Sequence, residues 1–225
     1  MARLEAMVRE RTAMLSEALG ELQQTQRELW LAQNETIHSL SVAAEFRDDD
    51  TSKHIERVSR YSSLLAEALG MDRERCRIIG VAARMHDIGK IGVPDSIMLK
   101  PAKLNADEFE AMKTHAEIGH DILRSCSSEL ASVAAEIAWT HHERMDGSGY
   151  PRCLAGGAIP IEGRIVAVAD VFDALSTDRI YRKAYTLPDA LGIMLGTRTV
   201  HLDPDVVDTF ADNMDRVIRV MDELP

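Results

Sequence analysis

Apolar side chains return every seven positions at Val8, Leu15, Leu22 and Leu29, inside a 45-residue stretch that has no proline and a single glycine, Gly20. Seven residues is the period of a coiled-coil seam, so residues 1–45 are predicted to form one long helix that pairs with a parallel copy of itself. The second stripe of that seam is weak: Ala18 and Leu19 are apolar, but Arg11, Thr12, Thr25 and Gln26 are not. An amphipathic helix lying on its own domain is the alternative. The pattern is already running at the first residues, which leads us to expect an input domain upstream.

Beyond residue 45 the period shortens to that of a single core-facing helix. Val58, Tyr61, Leu64, Leu65, Ala68 and Leu69 are spaced for one apolar face, and Gly70 follows as a natural stop. Ile78, Ile79, Val81, Ala82 and Met85 carry a second helix to His86-Asp87, where Gly89 and Gly92 break it. Asn105 with Glu108 reads as a capping box, and opens a helix through Phe109, Met112, His115, Ile118 and Ile122. A further helix is predicted from about 129 to 143, ending in His141-His142, with the glycines and proline of 146–151 forcing a loop after it. Ile161–Asp178 reads as a buried helix, and Asp203-Pro204 as the cap and first position of the last one. The fold class is all-α, divided into a linker helix at 1–45 and a globular domain at 46–225.

Composition narrows the function classes. Apolar residues make up 45% of 225, enough for one real core plus an appendage. A formal charge of -11 argues against sequence-independent binding to duplex nucleic acid, which relies on many Lys and Arg contacts to phosphate. Cys76, Cys126 and Cys153 are widely spaced and contain no CxxC pair, so neither a disulfide framework nor a thiolate zinc site is indicated. A reducing, cytoplasmic compartment is the expectation. No run approaches the ~20 apolar residues that a membrane span needs, and no signal-peptide core is present.

The candidate chemistry lies in His54, His86-Asp87, His115, His141-His142 and Asp170, which recur about every thirty residues, the repeat of one helix and its connection. Neutral imidazole with carboxylate is the ligand set of catalytic first-row transition metals. A short basic cluster, Arg179, Arg182 and Lys183, could hold an anion or could be a solvated helix face. Glu143 is expected at a solvated helix end, with a supporting place behind the metal ligands as the alternative, and His38, His120, His201 and Cys153 are given no chemistry.

At these residues the sequence resembles a known family. Met85-His86-Asp87-Ile88-Gly89-Lys90, His115, the run from His141 through Gly149-Tyr150-Pro151, and Asp170 with Asp173-Ala174-Leu175 are similar to the HD-GYP domain, over about residues 45–220. The resemblance implies an HD-type helical bundle that binds two or three divalent metal ions, usually iron or manganese. It also implies hydrolysis of the bacterial second messenger cyclic di-GMP to pGpG, with further cleavage to GMP left open. By match to the family's motif, His86, Asp87, His115, His141, His142 and Asp170 are metal ligands, with Asp87 between two ions. His54 is a further ligand, four residues after a position where three-metal members carry glutamate. Asp50 stands there, a shorter acid, which leaves the third ion open. Lys90 matches a lysine near the substrate phosphate, Arg179 and Arg182 match positions that hold the phosphodiester, and Tyr150 would shape the pocket mouth. Members often sit behind receiver or sensor domains, joined by a long helix. The competing functions are a module that binds the dinucleotide or a partner protein without turnover, and a phosphohydrolase acting on another cyclic dinucleotide.

Overall fold

The computed structural model describes residues 1–46, 52–178 and 183–224. Among them there is no strand, only two isolated bridges, Asp146 with Ala155 and Arg198 with Leu202. The expected all-α class is therefore what the chain adopts. The fold divides into two compact units, Met1–Ile37 and His38–Pro225.

The first unit consists of the leading part of α1 (Ala2–Glu45), a helix that continues past Ile37 without a break. Val8, Leu15, Leu22 and Leu29 are all exposed along it, at 55–62% of their surface.

The second unit begins with the last turns of α1 and contains α2 (Ser52–Ala68), α3 (Arg73–Ala83), α4 (Asp95–Met98), α5 (Ala106–Leu123) and α6 (Glu129–Thr140). It ends with α7 (Ile161–Ser176), α8 (Leu187–Thr197), α9 (Pro204–Asp212) and α10 (Met214–Glu223). The starts of these helices are written in short polar side chains. Asn105 and Glu108 form a reciprocal capping box at α5, and Asp203 caps α9 ahead of Pro204. Asp72 and Ser128 cap α3 and α6.

α2 packs against α3, α7, α9 and α10, while α6 packs against α3, α5 and α7. Where α2, α7 and α9 meet, Tyr61, Phe172 and Phe210 form a fully buried triad with ring centroids 4.7–6.1 Å apart and interplanar angles from 56° to 82°. Edge-on aromatic packing of this kind adds to the burial of three large apolar side chains. The seven consecutive positions from Gly163 to Ala169 that lead to Phe172 are buried except Arg164, so α7 is the buried helix that the sequence anticipated.

Two helices end earlier than their apolar pattern predicts. α3 stops at Ala83 and α6 at Thr140, because the chain tightens into i→i+3 turns there: Met85 N–H donates to Ala82, His86 to Ala83 and Ile88 to Met85, and Glu143 donates to Thr140. His86-Asp87 and His141-His142 therefore sit in turns just past their helices. A 3-10 turn, Ile88–Gly92, then carries Lys90 against α5. A Cβ at Gly89 would lie 1.9 Å from the His115 carbonyl oxygen, so only glycine lets this turn press that closely on α5.

Candidate metal centre

The expectation of one ligand per helix is corrected by these turns. α2 supplies His54, α5 supplies His115 and α7 supplies Asp170, whereas the turns after α3 and α6 supply His86-Asp87 and His141-His142. A turn can present two consecutive side chains to one point, which a helix surface cannot.

All seven residues come together in the second unit. Ligand-type atoms of Asp87, His115, His141 and His142 lie within 4.8 Å of one another, as do those of His54, His86 and Asp170. Asp87 links the two groups: its Oδ1 is 3.2 Å from His115 Nε2 and 3.4 Å from His141 Nε2, and its Oδ2 is 3.5 Å from His86 Nε2. On the other side His54 Nε2 is 3.7 Å from Asp170 Oδ1.

The far nitrogen of each ring decides what the near one can be. His86 Nδ1 faces the Ala83 carbonyl at 2.8 Å, His115 Nδ1 faces Met112 at 2.8 Å, and His141 Nδ1 faces Ile137 at 3.1 Å. A carbonyl only accepts, so Nδ1 carries the proton and, in a neutral ring, Nε2 is left with a lone pair. Burial holds the imidazoles of His86 and His141 below their usual pKa and that of His142 well below it, with His141 and His115 adding to the effect on His142. These rings are neutral at physiological pH. The Nε2 atoms of His86, His115 and His141 are buried and make no hydrogen bond, and Asp87 Oδ1 is buried and unbonded among them. Lone pairs facing a carboxylate oxygen repel one another, and a cation placed among them removes both the repulsion and the unmet hydrogen-bonding capacity. The donor set fits divalent transition metals.

Asp87 is charged in spite of its position. Burial alone would raise its pKa, but the Lys90 ammonium outweighs that and holds it well below the usual carboxylate range. Lys90 Nζ lies 2.6 Å from Asp87 Oδ2 and is itself buried.

Three contributors carried no sequence signal or were misread, and a fourth, Asp173, stood in the family motif without an assigned role. Asp173 has no exposed surface and accepts from Arg57 Nε at 2.5 Å, Arg57 Nη2 at 2.9 Å and His54 Nδ1 at 2.8 Å, which turns His54 Nε2 toward the centre. Arg57 lies three residues after His54, the spacing of one helix face, which was the only available hint. Glu143, expected at a solvated helix end, is buried: its carboxylate accepts from the backbone N–H of Arg152 at 2.7 Å and of Leu154 at 2.9 Å. It ties down the loop that carries Tyr150. Gly149 belongs to the same clamp, since a Cβ there would lie 2.4–2.6 Å from the backbone of His142, Glu143 and Arg144. Glu45 is the last of them, buried with a carboxylate oxygen within 4.8 Å of donor atoms of His86 and Asp87.

Tyr150 packs its ring 4.7 Å from that of His142 and 6.3 Å from those of His115 and Phe109. Burial pushes its phenol far above the usual value, so it stays protonated. Lys113 Nζ lies 5.5 Å from the Tyr150 ring centre. Asp50, Arg179 and Arg182 fall outside the described residues. Among the described residues no helix is long and apolar enough to cross a membrane.

A family model described as "HD domain" matches residues 38–206. The chain is 49% identical over 176 residues to the cyclic di-GMP phosphodiesterase response regulator RpfG of Xanthomonas campestris pv. campestris, covering 78% of this chain and 47% of that protein. It is 40% identical over 191 residues to the 3'3'-cGAMP-specific phosphodiesterase 2 of Vibrio cholerae, covering 85% of this chain and 37% of that protein. Among solved structures, a cyclic GMP-AMP specific phosphodiesterase of V. cholerae superposes with a TM-score of 0.63 at 18% identity, over 85% of this chain and 53% of that one, a likeness of fold. The chain thus spans less than half the length of both sequence relatives.

Proposed function

This chain belongs to the HD domain family, in its HD-GYP group, and on that premise we propose that it is a metal-dependent phosphodiesterase that hydrolyses cyclic di-GMP to pGpG. The observation that carries the reading is the set of buried, unbonded Nε2 atoms of His86, His115 and His141 converging on one charged carboxylate, Asp87.

In this reading His54, His86, Asp87, His115, His141, His142 and Asp170 hold two or three divalent ions, iron or manganese by the family's habit. Bound ions of this kind supply Lewis acidity, lowering the pKa of water and offsetting charge on a phosphodiester. The rest falls to the chain. Asp87 shares its two oxygens between the two groups of ligands. Lys90, which neutralises Asp87 in the structure, is close enough to the centre to meet a substrate phosphate oxygen, and Arg179 and Arg182 supply further positive charge for the diester. Tyr150, protonated and packed on His142, closes one wall against water and offers a hydroxyl donor. Glu143 keeps that wall in place through two backbone hydrogen bonds.

A second reading has its own support: one relative at 40% identity is specific for 3'3'-cGAMP, and the proposed ligands grip phosphate without reading a base. The test is anaerobic purification of the full chain, loading with Mn²⁺ or Fe²⁺, and product analysis on cyclic di-GMP and 3'3'-cGAMP side by side. Turnover of cyclic di-GMP that disappears in Asp87→Asn supports the proposal. Binding of the dinucleotide with no product from either substrate would leave only the non-hydrolysing module.

We further infer an output domain working from the cytoplasm: a linker at 1–45 and a catalytic part at 46–225, dimeric through the helix and placed behind a receiver or sensor domain. The seven-residue repeat with its exposed Val8, Leu15, Leu22 and Leu29 supports the pairing, and the response-regulator relative, twice as long as the matched part, supports the upstream domain.

A further inference from the structure

We propose that Glu45 is a ligand of the metal centre, forming with His86 and Asp87 a cation position whose carboxylate comes from the last residue of α1. The proposal rests on the metal-dependent reading above, and it moves the extra acidic ligand from Asp50, where the family's motif would put it, to a residue nine positions before His54.

Three observations carry it. First, a carboxylate oxygen of Glu45, an imidazole nitrogen of His86 and a carboxylate oxygen of Asp87 all lie within 4.8 Å of one another, inside one folded unit. Second, all three side chains are buried, at 2%, 1% and 6% exposure. Two carboxylates held this close in a buried site repel each other. A divalent ion between them balances the pair. Third, His86 Nε2 is an unbonded donor atom at the same point, and its Nδ1 is committed to the Ala83 carbonyl. A neutral imidazole with two carboxylates is a nitrogen and oxygen set that holds manganese or ferrous iron.

Glutamate also suits the place better than a shorter acid would. Glu45 ends a helix whose final turns are buried at Ser41, Ala44 and Glu45 itself, so its backbone is fixed by packing and its side chain only has to reach inward. The helix that carries the seven-residue repeat therefore ends in a ligand of the centre. Any change in the setting of that last turn changes the distance from Glu45 to His86.

The experiment uses the full chain stripped of metal and titrated anaerobically with Mn²⁺. Calorimetry counts sites and gives affinities, and the electron paramagnetic resonance signal of free Mn²⁺ gives an independent count. Wild type, Glu45→Gln, Glu45→Asp, Asp50→Asn and His115→Ala are compared. We expect Glu45→Gln to lose one ion per chain, or to weaken the weakest ion by about 10–100-fold, and Glu45→Asp to weaken it less. Wild-type stoichiometry and affinity in Glu45→Gln would overturn the proposal, as would the same loss in Asp50→Asn with none in Glu45→Gln. If metal-free Glu45→Gln fails to fold by circular dichroism, Glu45→Asp decides: a weakened ion supports the assignment and unchanged binding overturns it. A wild-type chain that takes up no ion would remove the functional reading itself. Loss in His115→Ala with none in Glu45→Gln removes only the assignment of Glu45.

Discussion

Asp173 has no surface in water, yet it carries a charge, because Arg57 grips it through two nitrogens and His54 donates to it as well. Burial pushes this carboxyl upward, but hydrogen bonds from Arg57 and His54 outweigh that and hold its pKa below the usual range. Removing the acid would strand a buried guanidinium and release the ring of His54. We expect Asp173→Ala to cost about 3–5 kcal/mol in urea unfolding, the range for breaking a buried pair by deleting one partner. An unchanged unfolding midpoint would mean that Arg57 finds another acceptor. At this scale the sequence was legible where chemistry sits in adjacent pairs. His86-Asp87 and His141-His142 declare themselves because no structural role calls for two such neighbours. Arg57, Glu143 and Glu45 did not, and Asp173 showed only as part of the family motif, because each takes its meaning from residues outside its own local pattern: Glu143 from the backbone of the loop it clamps, and Glu45 from a turn about forty residues on.

At the scale of elements, apolar periodicity located the middle of every site-bearing helix and misjudged two of the ends. The pattern in α3 and α6 runs on into residues whose side chains are buried for another reason: they converge in the candidate metal centre. Burial of ligands looks the same in a sequence as burial of core. The turn after α3 depends on Gly89, whose missing side chain leaves room for the His115 carbonyl. Gly89→Ala should push the turn bearing Lys90 away from α5, at a cost of about 1–3 kcal/mol typical of overpacking, and weaken metal binding by separating Asp87 from His115. Thermal unfolding of the metal-free protein, followed by Mn²⁺ titration, measures both. The start of α5 is governed by charge instead. Glu108 is held below its usual pKa by Lys100 and then by the backbone N–H of Asn105, in a capping box that was plain in the sequence. A depressed carboxyl contributes stability above its unfolded pKa of about 4.3 and loses it as pH falls through the folded value. The melting temperature of wild type should therefore drop more between neutral pH and pH ~3 than that of Glu108→Gln, which has no proton to gain there. Parallel curves for the two proteins would show that the cap does not couple to global stability.

For the whole molecule, the question that one chain cannot answer by itself is what covers the seven-residue stripe. Isolated exposed leucines are ordinary, but Val8, Leu15, Leu22 and Leu29 form a line on a helix whose mean character is close to neutral, and each is more than half exposed. A second copy would bury such a line by knobs-into-holes packing, and the polar residues of the weaker stripe, Arg11, Thr12, Thr25 and Gln26, would keep that pairing marginal. Marginal pairing is sensitive to small changes in either partner. The full chain should therefore run by light scattering at twice its 25.0 kDa mass at micromolar concentration. Leu15→Lys with Leu22→Lys should return it to a single chain, because two buried lysines at adjacent core layers of a dimer would face their own copies. If the double variant stays dimeric, the contact lies in the globular unit and the stripe has another occupant. If it is monomeric yet binds Mn²⁺ as wild type does, the centre is complete within one chain, the outcome expected from the candidate ligands among the described residues, which all lie in the second unit.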